Sequence, residues 1–384
     1  MLSTSSPAEL LRLSTLRDVL RSPGPCITIL LPPYRPGEPA GSPATVLKTS
    51  IREAARQFAE REVSKAARTD LLQPIESLAE DPTFAAGSHW GRAIFRSPSV
   101  FRQFDLTQAS QPFLNVAGCF SIRQLTAELA RPRVFYILVL SKTRVALLRC
   151  AGFHAEIAKL PAGVPETLTE ALELEPPDHD LENRSAAGIS TGNMHGVRFG
   201  TGSGRETARV HLADFYKLVD RGLQEVLRES EIPLILAGVD EDATVFRAVS
   251  NYRHLSKKGI GGSAYGSFRQ EEVLEQAYSI LRNDDLEREA SSLRIARERV
   301  TATRFSTDPD TILHAAFEGR VSQLYVNQSA EKIDVFERRS YQNWGKEDLL
   351  NLAAVQTIIH YGKASVLPAE LMPEASTIVG IMRF

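Results

Sequence analysis

Short apolar runs alternate along this chain with stretches of helical spacing, and that alternation constrains its fold more than any other feature. Cys26-Ile27-Thr28-Ile29-Leu30-Leu31, the run 134–140 and Leu234-Ile235-Leu236-Ala237-Gly238 are each of strand length and are bounded by turn residues, so they read as buried strands. Between them, residues 211–227 place Leu212, Phe215, Val219, Leu223 and Val226 on one helical stripe. The pattern predicts a mixed α/β (α+β) protein. The best apolar run, 134–140, falls far short of the roughly 20 residues that cross a bilayer, and the first ten residues lack a signal peptide's basic and apolar parts. A cytoplasmic protein that touches no membrane is therefore expected.

The chain has 384 residues, above the roughly 250 to 300 at which one core stops growing, so more than one domain is expected. Three fit the pattern: an N-terminal α/β domain over 1–130, a middle domain over 131–255 and a small C-terminal α/β domain over 256–384. In the first, a helix is expected over 8–20. Two more are expected within 46–79, broken near Pro74, since proline lacks the helix-bonding N–H. In the second, a hairpin over 134–149 is followed by the polar, Pro/Gly/Ser-rich stretch 161–209, which reads as one long loop, with order resuming at His211. A second glycine-rich turn spans 259–266, and 271–300 reads as one charged helix, or two with a break near Asn283-Asp284-Asp285. At the end, Asp308-Pro309 is a helix-start signal, Gly319 and Gly362 are placed to stop helices, and strands follow each.

The net charge of −2 gives no global basic field, so contact with RNA would rest on local patches. Two candidates stand out. His195, Gly196, Arg198, Gly200, Gly202, Gly204, Arg205 and Arg209 form a glycine-rich arm whose backbone could approach a phosphate closely and whose arginines could bind it. The ordinary alternative is a surface insertion. On the segment 46–68, six basic residues face three acidic ones, and Lys48, Arg52 and Arg56 share a helix face. A solvated face of i,i+4 pairs is the ordinary alternative there. Asp178-His179-Asp180 is too local to converge on a metal ion, and no nucleotide loop or nucleophile elbow is present. No metal or cofactor is expected. Cys26, Cys119 and Cys150 are odd in number and widely spaced, which fits a reducing compartment.

Several strings, in their order, resemble the archaeal and eukaryotic class-1 peptide-chain release factors and Pelota, and more closely the bacterial archaeo-eukaryotic release factor family of the family 3 type. They are PCITILLPPY from Pro25, GRAIFR from Gly91, residues 135–148, PLILAGVD from Pro233, DPDTILHAAFEGRVSQLYV from Asp308 and DLLNLAAVQTIIHYGKASVLP from Asp348. The resemblance implies an RNase-H-like middle domain, a C-terminal domain similar to ribosomal proteins that bind kinked RNA, and work on the ribosome. Release factors carry a Gly-Gly-Gln loop at the position of this arm. Here the stretch from His195 reads HGVRFGTGSGRE, with no such triplet. The family's decoding tyrosine and cysteine correspond to Leu114 and Val116, with Phe120 retained, and its Asn-Ile-Lys-Ser motif is echoed by Val46-Leu47-Lys48-Thr49.

The expectation is a factor associated with the ribosome and tRNA in translation quality control, lacking the Gly-Gly-Gln motif. Two alternatives stay open: a peptidyl-tRNA ester hydrolase with substituted loop chemistry, and a protein-interaction scaffold whose C-terminal domain docks a partner.

Overall fold

A computed structural model describes residues 9–11, 13–22, 24–33, 42–81, 84, 90–107, 110–129, 134–174, 202–227, 231–262, 269–338, 341 and 344–384. The chain opens with β1 (Glu9–Leu10), α1 (Leu13–Leu20), β2 (Cys26–Leu31), α2 (Pro43–Glu60), α3 (Lys65–Glu80), β3 (Arg92–Arg96), β4 (Phe101–Asp105), β5 (Phe113–Ala117) and α4 (Thr126–Leu129). It continues through β6 (Val134–Leu140), β7 (Val145–Ala151), β8 (His154–Ala158), α5 (Leu168–Leu174), α6 (Gly202–Leu227), β9 (Leu234–Gly238), α7 (Asp240–Val249), β10 (Ile260–Gly261) and α8 (Gln270–Arg299). It closes with β11 (Phe305–Ser306), α9 (Pro309–Phe317), β12 (Val321–Asn327), β13 (Ile333–Val335), β14 (Lys346–Asp348), α10 (Leu349–Ile359), β15 (Lys363–Leu367) and β16 (Ile378–Met382). The mixed α/β expectation holds. The chain divides into two compact units, one of residues 1–131 with 282–384 and one of 132–281.

In the first unit, five strands lie in the order β1-β4-β3-β2-β5 and four in the order β11-β16-β12-β15. The apolar run of β2 is buried along its whole length because both its faces are covered. Ile27, Ile29 and Leu31 pack with Leu47, Ala54, Phe58 and Ile75 of α2 and α3. Cys26 and Leu30 point the other way, into a core shared with Leu350, Ala354 and Ile358 of α10. β12 is two-sided as well: Leu324 and Val326 join that shared core, while Tyr325 packs with Leu293 of α8.

The join between the first and last segments is polar at its centre. Asn351, 2% exposed, accepts a hydrogen bond from Ile122 N–H at 2.8 Å and donates one to the Phe120 carbonyl at 3.0 Å. Glu347 accepts from Gly118 N–H at 2.9 Å and from the Tyr341 hydroxyl. Arg123 donates to Asp348 at 2.7 Å and to the Ala330 carbonyl at 2.7 Å. Asp348 also caps α10, accepting from Leu350 and Asn351 N–H.

In the second unit the strands run β10-β9-β6-β7-β8. β6, β7 and β8 are antiparallel, and β9 and β10 join parallel to β6 and β9. Leu212, Phe215, Tyr216, Val219 and Leu223 of α6 pack on Leu138, Leu147 and Leu236 of the sheet. Buried Asp220 ties α6 to the end of α7 by accepting from Ser250 Oγ at 2.5 Å and Asn251 N–H at 3.2 Å.

Three expectations are corrected, and of the two readings left open for 271–300 the single helix holds. The N-terminal helix begins at Leu13, because Glu9–Leu10 pairs in parallel with β4. The break between α2 and α3 falls at residues 61–64, where Ser64 caps α3 by accepting from Ala67 N–H. Pro74 stays inside α3: the Asp70 carbonyl that its missing N–H frees accepts from Arg96 Nη2 at 2.8 Å. The stretch 161–209 is not one loop, since α5 and the first turns of α6 lie within it, and a hairpin turn with Gly152 at φ 58° adds β8. Residues 283–285 do not interrupt α8; Asp285 pairs with Arg288 one turn on.

Replacing Asn351 with alanine leaves the Ile122 N–H and the Phe120 carbonyl buried without that partner. The expected loss is about 3 kcal/mol in urea unfolding, and a loss below about 1 kcal/mol would refute the role given to this side chain.

Candidate functional site

α6 positions the candidate arm. Its apolar stripe starts at Leu212, and from there the helix is held against the sheet. The residues just before, Ala208, Arg209 and Val210, are exposed, Val210 by 53%. Gly202, Gly204, Arg205 and Arg209 therefore belong to a helix and not to the loop expected for them. Glycine costs a helix about 1 kcal/mol relative to alanine. Elongating an already packed helix gains a hydrogen bond for each residue added, which carries α6 back to Gly202. His195, Gly196, Arg198 and Gly200, and the 178–180 cluster, lie outside the described residues.

On α2, Lys48, Arg52 and Arg56 are all exposed on the expected face. Arg56 is engaged by two acids: its Nε donates to Glu53 at 2.9 Å and its Nη1 pairs with Glu60. Hydrogen bonds from Arg56 and Gln57 hold the Glu53 carboxyl down at about 2. Arg52 turns back on its own helix, with Nε 3.4 Å from the Lys48 carbonyl. Lys65 and Arg68 lie beyond the break, on α3. Arg56 is thus paired within its own helix, and exposed pairs of this kind contribute little to stability.

The first unit also holds a cavity of about 760 Å³, which pattern reading did not anticipate. It lies along β5, the edge strand, and its lining includes Arg61, Phe113, Asn115, Arg123, Arg282 and Lys346. Arg61 donates to the Val116 carbonyl at 2.7 Å. Of the carboxylates at the cavity, Glu347 and Asp348 are committed to the Gly118 N–H and to Arg123. With Arg61, Arg123, Arg282 and Lys346 in its lining, the cavity suits a polar ligand that cations can hold. The signal that could have found it is the adjacent pair Glu347-Asp348 before an apolar helix, which reads as a helix start without revealing its distant partners.

Among the described residues, no group of three or more His, Cys, Asp or Glu is arranged to hold a metal ion, and no helix is long and apolar enough to cross a membrane. The cysteines are buried, and burial pushes their thiols up, Cys150 to about 12. Because the thiolate is the reactive form, none of the three should react with an aromatic disulfide reagent at about pH 8 in the native protein. All three should react once the chain is unfolded. Rapid labelling of any one in the native state would contradict this packing.

Comparison with known proteins follows the same outline. No curated protein matches the chain. Among solved structures, the archaeal translation termination factor aRF1 is 12% identical, with 97% of each chain covered and a TM-score of 0.25. Pelota from Archaeoglobus fulgidus is 12% identical over 76% of this chain and 79% of its own, at 0.39. A ribosome-bound archaeal Pelota is 14% identical over 74% and 72%, at 0.35. At these TM-scores the likenesses are similarities and nothing more. The family comparison is specific: residues 134–320, which take in β6 to α9 and all of α6, match the model of Bacterial archaeo-eukaryotic release factor family 3, so this segment is similar to that release-factor-like family.

Proposed function

We propose that this protein is a ribosome-associated factor of translation quality control that contacts RNA, tRNA included, through the arm leading into α6. The observation that carries the reading is the division of α6 itself. From Leu212 onward the helix is fixed to the sheet, while Ala208, Arg209 and Val210 just before it are exposed and follow a stretch of sequence rich in glycine and arginine. A rigid helix presenting such an arm suits phosphate contact, because the scaffold holds its base while the glycines permit close backbone approach. The match of residues 134–320 to a release-factor family supports a role beside the release factors. The absence of Gly-Gly-Gln in the sequence favours binding over ester hydrolysis, since no described residue replaces the glutamine with an acid and base pair.

The test is sedimentation with bacterial ribosomes at about 50 mM and about 200 mM salt. Binding should weaken as salt rises, and Arg209→Glu should weaken it at least about threefold without lowering the unfolding temperature, because Arg209 is exposed. Absence of cosedimentation at both salt concentrations would defeat the proposal. Peptidyl-tRNA on programmed ribosomes should release no more peptide with the protein than without it. Release that disappears on deleting residues 196–204 would instead establish a hydrolase.

A further inference from the structure

A second surface, on the other compact unit, has chemistry that neither the family nor the arm accounts for. We propose that the ends of α9, α10 and β16, together with α1, form a site for single-stranded nucleic acid, in which Tyr361 stacks on a base and the surrounding arginines meet phosphates.

Tyr361 is 68% exposed and lies just past α10 with φ 64°, a left-handed conformation that helix ends usually assign to glycine or asparagine. The glycine of this turn is one residue later. Gly362 is needed there, because a Cβ would sit 2.7 Å from the Val321 carbonyl oxygen. Packing therefore explains Gly362 but not the exposure of the Tyr361 ring, one face of which meets the Arg17 guanidinium.

The ring lies among cations. The Arg17 guanidinium is 4.3 Å from its centroid and that of Arg21 is 6.0 Å away. Arg383 donates its Nη2 to the His360 carbonyl at 2.7 Å, which brings a third guanidinium group to the same turn. Asp18 pairs with Arg21 at 3.6 Å, so three guanidinium groups stand against this one carboxylate. The excess is felt locally: burial, then Arg383 and Arg21, hold the His360 imidazole below its ordinary range.

Part of this arrangement has a structural purpose. Arg17 donates to the Ile358 carbonyl at 3.0 Å, and cations at helix C-termini complement the helix dipole. That purpose covers Arg17 and Arg383. It covers neither Arg21, which is exposed, nor the tyrosine ring itself. An open aromatic face bordered by guanidinium groups fits a base with its phosphates, because every base has a π-face to stack. Duplex bases are already stacked on one another and cannot use it.

The inference does not depend on the ribosome reading, and either can fail alone. The test uses the full chain and fluorescent oligoribonucleotides and oligodeoxyribonucleotides of about twelve residues, followed by anisotropy at two salt concentrations. Comparing the two sugars decides between RNA and DNA. Tyr361→Gly relieves the left-handed backbone, so its unfolding temperature should match or exceed that of the parent while single-strand affinity falls about tenfold. Arg21→Gln should reduce the salt dependence by about one phosphate contact. A 4-thiouridine oligonucleotide should cross-link to the peptide containing Tyr361. The proposal is overturned if the parent chain binds no single strand at low salt, if a duplex binds equally well, if Tyr361→Gly and Tyr361→Asn both bind as the parent does, or if cross-links fall only elsewhere.

Discussion

The amide of Asn351 holds the first unit together. Its oxygen and nitrogen serve the N–H of Ile122 and the carbonyl of Phe120 as a neighbouring strand would, although the residues lie 229 and 231 positions apart. Buried backbone groups left unpaired cost more than the hydrogen bonds themselves contribute, so this side chain sets the register between the N-terminal and C-terminal segments. Glu347 at Gly118 and Asp348 at Arg123 extend the same seam to either side. Only with that seam in place can Cys26, Phe95 and Phe120 share a core with Leu350, Ala354 and Ile358. Thiols and hydroxyls in such a core are structural: Cys119 and Tyr341 are both pushed away from ionisation, first of all by burial.

The second unit depends on a different arrangement. Its sheet is covered by α6, whose apolar stripe starts at Leu212, with Ala208, Arg209 and Val210 exposed just before it. The basic character of the molecule is likewise local. The formal charge is close to neutral, yet the guanidinium groups of Arg17, Arg21 and Arg383 gather around Tyr361, while on the basic-looking face of α2 Arg56 is paired with Glu53 and Glu60. Counting charges along a helix does not separate these cases, because what matters is whether an acid stands within reach.

The sequence by itself determined the features whose causes are local. The strands β2, β6 and β9 are legible because an apolar run of that length has few other solutions, and α9 and α10 because a capping aspartate and a closing glycine act within one turn. The tertiary structure decided whatever depended on a distant partner. Pro74 survives inside α3 because Arg96, on another element, takes the carbonyl that the proline frees, and no pattern around residue 74 contains that arginine. The helical state of Gly202 to Arg209 follows from a helix anchored further along, against the local preference of two glycines. Tyr361 becomes an exposed ring among cations because Arg17, Arg21 and Arg383 come from opposite ends of the chain. A local pattern encodes hydrogen bonds closed within a few residues; which buried groups and surface charges meet across hundreds of residues is settled only when the chain packs.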